Sequence, residues 1–243
     1  MKITRHTSFR DENSDEVTTE DAPIAVERGI ATLIDDAIAL AMESETHSDY
    51  SFQDTLARAS ILSSTLFLEA CANACLDMLN LGRRFSNEID RLPTIAKFDL
   101  FLRMRSPRSS IDRSRSEFQG YSEMKALRDA FVHPKAQRYD WITWSEESSK
   151  SSSPRSATLD LAKIPAYCSS GDAVTALRAS HSFASYILKE CAKISSVRVS
   201  TLFYSEAVVP DFSERVAPCW DKNVRKWLHE RNIDVRYMRI VWL

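Results

Sequence analysis

The chain has 243 residues, 44% of them hydrophobic, which suffices for one sizeable core or for a domain with a small appendage. Its formal net charge of −2 excludes binding to nucleic acid through overall charge, so any such binding needs a local basic patch. The four glycines stand far apart, which excludes the glycine-rich phosphate loops of P-loop and Rossmann sites.

The N-terminal residues 1–22 are polar and acid-rich, and they predict a flexible tail. They contain no apolar stretch typical of a secretory signal. The most apolar segment, 61–79, is interrupted by Glu69, Asn73 and Asp77, a polar stripe that a lipid-facing helix would not tolerate. We therefore expect a cytoplasmic protein that makes no membrane contact.

Apolar residues at helical spacing dominate the next part of the chain. The run LFLEACANACLDML is apolar nearly all round and predicts a central, buried helix. Five helices are predicted, at about residues 26–42, 52–81, 94–105, 116–132 and from 172 to about 191.

Two further segments have strand-like composition. YDWITW and ATLDLAKI flank a serine-rich stretch and predict a β-hairpin over about residues 138–164. Its residues Trp141 and Trp144 could stack on nucleobases, or they could pack in the hairpin. In the last 48 residues, VRVSTLFY and IDVRYMRIVWL suggest strands on either side of a helix, WDKNVRKWLHER. The predicted fold is mainly α: an up-and-down bundle over 23–195 with this β-hairpin insertion, and a small α/β appendage over 196–243.

The segment LRDAFVHPK carries the sharpest chemical feature of the sequence. Arg128 and His133 lie five residues apart, and Pro134 predicts that the helix ends near His133. A guanidinium can hold phosphate oxygens through two N–H groups, and an imidazole can move a proton near neutral pH. The structural alternative is an arginine in an ion pair and a histidine that caps the helix.

The segment RDAFVHP resembles the R-x4-6-H motif of the HEPN superfamily, with Asp129 after the arginine. LEACANACLDML is similar to the family's first core helix, and LPTIAKFDLFL to the segment that connects the two. The resemblance covers about residues 55–137. It implies a helical bundle that dimerises, bringing two copies of the motif to one cleft.

The resemblance also implies a reaction. Active members cleave RNA without a metal or other cofactor, through attack of the 2′-hydroxyl on the adjacent phosphate. Carried over, Arg128 would hold the phosphate, His133 would transfer a proton, and Asp129 would orient one of them or contact the other subunit. Lys135 stands where several active members have a tyrosine, and many members are inactive binding modules.

Two groups of side chains could support such a site. Glu69 and Asn73 lie on the polar stripe of the central helix, and Glu69 is the natural partner of Arg128, either in a structural network or orienting the arginine. A basic loop enters the helix of the motif, so it could lie near the cleft and bind RNA, or it could simply be solvated. Its arginines, which with Lys135 form the predicted RNA-binding set, are Arg103, Arg105, Arg108, Arg113 and Arg115.

Two functions follow from different classes. The first is a metal-independent endoribonuclease, plausible as a toxin or antiphage effector, that acts on RNA as a homodimer and is paired with an antitoxin or other protein partner. The second is a non-catalytic module for dimerisation or for binding a nucleotide or protein. No metal-binding constellation is found in the sequence.

Overall fold

The structure is a computed structural model. It describes residues 24–26, 28–136, 138, 141–144, 149–151, 153–203, 206–208 and 219–242. The predicted tail, residues 1–22, lies outside the described residues.

The described part of the chain is mainly helical, as predicted. Its α-helices are α1 (Ile30–Thr46), α2 (Tyr50–Asp77), α3 (Arg83–Ile89), α4 (Thr94–Arg105), α5 (Ser116–Val132), α6 (Ser170–Ser185), α7 (Ser196–Phe203) and α8 (Lys222–Glu230). A 3₁₀ turn, Pro165–Tyr167, precedes α6, and a π-helical turn, Tyr186–Cys191, continues it.

Side-chain caps explain where several helices begin. Asp49 accepts hydrogen bonds from the backbone N–H groups of Ser51 and Phe52 at the start of α2. Ser169 and Asp172 form a reciprocal capping box at the start of α6. These bonds satisfy N–H groups that the first turn of a helix leaves unpaired, so the sequence specifies both starting points.

The helix α2 is the centre of the bundle and packs against α1, α4, α5 and α6. Its Phe67 is almost fully buried, as are Phe98 of α4, Met124 of α5 and Phe183 of α6. By length and composition alone α2 could also cross a membrane. Because much of its apolar surface lies inside this core, the helix is compatible with a soluble protein.

The strands are short. In the described part they are two to four residues long: β1 (Ile24–Val26) pairs antiparallel with β4 (Glu206–Val208), β2 (Trp141–Trp144) antiparallel with β3 (Ser149–Ser151), and β5 (Cys219–Trp220) parallel with β6 (Val241–Trp242).

The predicted hairpin over 138–164 is not supported in the form expected, because residues 157–164 form no strand. Glu123 of α5 accepts the backbone N–H groups of Thr158 and Leu159, at 2.7 and 2.8 Å. Asp172 accepts the N–H of Ala162 at 3.0 Å. Two carboxylates therefore satisfy backbone donors that a second strand would have paired.

The predicted α/β appendage is not supported either. Residues 197–203 of the segment VRVSTLFY lie in the helix α7, and Val199, Leu202 and Phe203, at helical spacing, are buried in the same core as the bundle. Most of IDVRYMRIVWL is irregular. The prediction of α8 is confirmed.

The C-terminal part is tied to the first helix of the bundle. Glu45 of α1 accepts a hydrogen bond from Trp227 Nε1 at 2.6 Å and pairs with Arg231 at 2.9 Å. Asp35, also on α1, accepts from Trp220 Nε1 at 2.9 Å. These contacts join residues more than 180 positions apart.

Candidate functional site

The helix α5 ends where the proline predicts. Val132 is its last residue, and His133 leaves the helical conformation with φ −125° and ψ 65°. The backbone N–H of His133 still bonds to the carbonyl of Asp129 at 2.9 Å. His133 is therefore the first residue after the helix.

Arg128 lies one turn before this end, with its side chain one-third exposed. Its Nη1 is 3.3 Å from Asp129 Oδ1, and its Nη2 is 3.7 Å from Glu69 Oε2 on α2. The predicted pairing of Glu69 with Arg128 is confirmed. Both distances exceed the 2.7–2.9 Å typical of strong charge-assisted hydrogen bonds, so the guanidinium is held loosely.

Arg128 lines an open pocket of about 270 Å³ between α2, the start of α4 and α5. Apolar and polar side chains contribute to its wall. The lining residues are Thr65, Leu68, Glu69, Leu92, Pro93, Thr94, Tyr121, Met124, Lys125, Arg128 and Asp129.

Lys125 holds the carboxylate of Asp129. The two lie four residues apart on α5, and Lys125 Nζ is 2.5 Å from Asp129 Oδ2. This hydrogen bond, assisted by Arg128, lowers the pKa of Asp129 below its usual value. Asp129 is therefore an ionised, occupied acceptor at neutral pH, suited to orienting a neighbour rather than to accepting a proton.

Tyr121 forms the inner part of the pocket and was not predicted as a site residue. It is 6% exposed, and burial raises the pKa of its hydroxyl. Tyr121, Lys125 and Arg128 are spaced four and three residues apart, which places them on one face of a helix. That spacing could have identified the two residues missing from the prediction.

His133 does not line this pocket. It is exposed, and within the described residues its imidazole makes no hydrogen bond or ion pair. Residues five apart on a helix point about 140° away from each other, since each residue turns about 100°. One copy of the chain therefore presents Arg128 in a pocket and His133 past its edge, with the exposed Lys135 two residues further on.

Asn73 belongs to a different cluster. Its Oδ1 accepts from Lys97 Nζ at 2.6 Å, and Lys97, only 3% exposed, also pairs with Asp90 at 3.4 Å. The next residue of the stripe, Asp77, pairs with Arg28 at 3.1 Å. Of the polar stripe on α2, Thr65 and Glu69 reach the pocket, and Asn73 does not.

The basic loop lies at the other end of α5. Arg115 stands at the N-terminus of that helix, thirteen residues from Arg128, which corresponds to about 20 Å along the axis. Within one copy of the chain the loop therefore does not line the pocket, against the expectation that it lies near the cleft.

Three of the five loop arginines are engaged within the protein. Arg115 pairs with Glu117 at 2.9 Å and Glu190 at 3.1 Å, and its guanidinium stacks on the ring of Tyr186. Arg113 pairs with Asp99 at 3.5 Å. Arg105 covers the ring of Phe101, while Arg103 and Arg108 are exposed.

Among the described residues, the others considered from the sequence do not contribute to this pocket. The side chains of Trp141 and Trp144 lie outside the described residues. His181, expected in the core, is 1% exposed there. Among the described residues no three histidine, cysteine, aspartate or glutamate side chains are grouped to hold a metal ion.

Comparison of the chain with family models, with curated proteins and with solved structures finds no match. The function is therefore inferred from the residues and geometry of the Arg128 pocket and the adjoining end of α5.

Proposed function

We propose that the protein is a metal-independent endoribonuclease of HEPN type, acting on RNA as a homodimer. Arg128 binds the scissile phosphate, and His133 transfers a proton as the 2′-hydroxyl attacks. The product is a 2′,3′-cyclic phosphate. In this proposal the protein is a cytoplasmic toxin or antiphage effector. It has the fold of a HEPN-like bundle, and an antitoxin or another protein is its partner.

The observation that carries the proposal is the loosely held guanidinium of Arg128 at the mouth of an open pocket. An arginine required only for stability is expected in short, buried contacts. Arg128 instead has contacts of 3.3 and 3.7 Å and remains one-third exposed. A phosphate can therefore replace a carboxylate at its N–H groups without a large desolvation cost.

The position of His133 supports the need for a second copy. Its exposed imidazole lies outside the pocket of its own chain, so a shared cleft would let it meet the Arg128 of the other copy. Leu92 on the pocket wall and Val132 next to His133 are exposed apolar residues, 36% and 48% respectively. Apolar surface of this kind suits a contact between subunits.

The second candidate is a non-catalytic HEPN-like module for dimerisation or for binding a nucleotide or protein. The paired charges of the pocket favour it, because Arg128 and Lys125 already have carboxylate partners. Lys135, in place of the tyrosine of several active members, favours it too.

Cleavage of single-stranded RNA in EDTA distinguishes the two. We expect cutting with 2′,3′-cyclic phosphate ends, and a loss of about a hundredfold or more in rate for Arg128→Ala and for His133→Ala. Matched controls are Arg84→Ala and His229→Ala, exposed residues away from the pocket, which should cut at the wild-type rate.

Cleavage that requires a divalent metal, or variants at Arg128 and His133 that cut as fast as their controls, would refute the nuclease. Thermal melting of all four variants confirms that each is folded. A protein that cuts none of a panel of RNAs, yet is stabilised by a nucleotide or protein, fits the binding module.

A further inference from the structure

We propose that the Arg128 pocket is a nucleobase subsite selective for guanine. The proposal rests on the proposed function in that it takes RNA as the ligand. It adds which part of the RNA enters the pocket and which side chain selects the base. The phosphate then lies at the mouth, and the ring lies inside.

The size and wall of the pocket suit a flat ring. Its volume of about 270 Å³ is below the range of about 300–1,000 Å³ of cavities that hold drug-sized ligands, so one ring system fits better than a whole nucleotide. Leu68, Leu92 and Met124 supply apolar wall on which the faces of a ring can pack.

The charges of the pocket argue against a bare phosphate inside it. Arg128 and Lys125 contribute two positive charges, and Glu69 and Asp129 contribute two negative ones. The net charge is zero, and both carboxylates would repel an anion at this depth. A neutral ligand with donors and acceptors on one edge matches this pattern better.

Glu69 is the carboxylate that remains available. Its side chain is 43% exposed, and within the described residues it forms no hydrogen bond or ion pair other than the 3.7 Å pair with Arg128. Asp129 already accepts from Lys125 at 2.5 Å and from Arg128 at 3.3 Å. A ligand in the pocket therefore meets two accepting oxygens on Glu69 beside a donating guanidinium.

The pocket therefore presents two acceptors, the oxygens of Glu69, followed by one donor, the guanidinium of Arg128. The edge of guanine presents two adjacent N–H donors, at N2 and N1, followed by the O6 acceptor. Glu69 can accept both N–H groups, and Arg128 can donate to O6. In uracil the N3–H donor lies between two carbonyl acceptors, and in adenine the amino donor lies between the acceptors N1 and N7. Cytosine offers one amino group. Each of these three bases therefore leaves an oxygen of Glu69 without a partner.

Binding of guanosine and inosine to the full chain tests the inference, since inosine lacks only the N2 amino group. Calorimetric titration should show guanosine binding about tenfold more tightly, the value of one charge-assisted hydrogen bond. Glu69→Gln should abolish this preference. Glu43→Gln, an exposed carboxylate on α1, should retain it.

A second variant covers the case in which Glu69→Gln fails to fold. Thr65→Phe places a ring in the pocket and leaves the residues Glu69 and Arg128 in place; the Thr65 hydroxyl that it removes donates to the Leu62 carbonyl. It should abolish guanosine binding. Equal binding of guanosine and inosine, unchanged preference in Glu69→Gln, or no guanosine binding at all would overturn the subsite.

The outcome is separate from that of the nuclease test. Guanosine selectivity without RNA cleavage in EDTA would leave the subsite and remove the nuclease. If RNA cleavage needs Arg128 and His133 but the protein binds guanosine and inosine equally, the nuclease proposal stands and the subsite proposal fails.

Discussion

The surroundings of two histidines differ sharply in this molecule. His181 of α6 is sealed in the core, where its Nδ1 is 2.7 Å from the hydroxyl of Tyr237 and its ring lies against Phe67. His133 stands exposed at the end of α5, past the rim of a pocket lined by Arg128. At the first position, burial suppresses protonation of the imidazole. At the second position, the imidazole is accessible to solvent.

The largest expected effect concerns His181. Burial lowers the pKa of this imidazole to about 4. The unfolded chain, with an ordinary pKa of about 6.5, takes up the proton first. The free energy of unfolding should therefore fall by about 3 kcal/mol as the pH is lowered from about 7.5 to 4, and this contribution should be constant above about pH 7.5. Urea denaturation at a series of pH values measures it.

Two variants sharpen this contrast between the histidines. His181→Phe, which suits a site beside the rings of Phe67 and Tyr237, should lose less stability than the wild type over the same pH range. His133→Gln should follow the wild-type curve, because the residue is exposed. An unchanged slope in His181→Phe would contradict the assignment of the core histidine as the titrating group.

A smaller effect separates two arginines on α5. Arg115 makes two hydrogen bonds to Glu117, pairs with Glu190 and stacks on Tyr186, so Arg115→Ala should lower the free energy of unfolding by more than Arg128→Ala does. Arg128→Ala should cost less than about 0.5 kcal/mol, because its pairs are long and partly exposed.

Chemical denaturation of both variants at neutral pH measures the difference. If Arg128→Ala is the more damaging of the two, then Arg128 has a structural role, and the contrast between a stabilising end and a ligand-binding end of α5 is lost.

The smallest expected effect concerns RNA binding by the basic loop. Arg103, in the last turn of α4, and Arg108 are its exposed arginines without an ion pair among the described residues, and neither lines the pocket. Replacing both by alanine should change RNA affinity by less than about twofold at 150 mM salt. Fluorescence anisotropy on a His133→Ala background, where no cleavage interferes, measures the affinity.

The salt dependence of RNA affinity tests whether the basic loop contacts phosphates. If the double variant lowers the slope of log affinity against log salt by about 1.4, which is about 0.7 for each phosphate of a single strand, both arginines contact phosphates. The RNA would then run along α5, or the loop of one copy would serve the pocket of the other.

The predicted helices were recovered because local rules specify them. The bounds 94–105 and 116–132 match α4 and α5, since Pro93 and Pro134 fix one end of each helix. The helix α3 was missed, because a seven-residue, largely exposed segment has little apolar periodicity. The segment VRVSTLFY was wrongly predicted as a strand, because its β-branched residues suit a strand while its buried face follows helical spacing.

The candidate site was predictable only in part. Glu69 and Arg128 could be paired from sequence, since each is a polar residue on a helix of the bundle. The hydrogen bond from Lys97 to Asn73 and the distance of the basic loop from the pocket depend on how helices pack, which spacing along the chain does not give. The length of α5 alone, however, implies that Arg115 and Arg128 are far apart.

The contacts of Asp35 and Glu45 with the C-terminal part also bear on how the protein is made. During synthesis on a ribosome, α1 emerges early. Its contacts with residues 220–231 can form only when those residues have been synthesised, more than 180 residues later. Contacts so distant in sequence slow folding. The three helices that enclose the Arg128 pocket are complete by residue 132, so this pocket can assemble while the outer side of α1 is still uncovered and open to a chaperone.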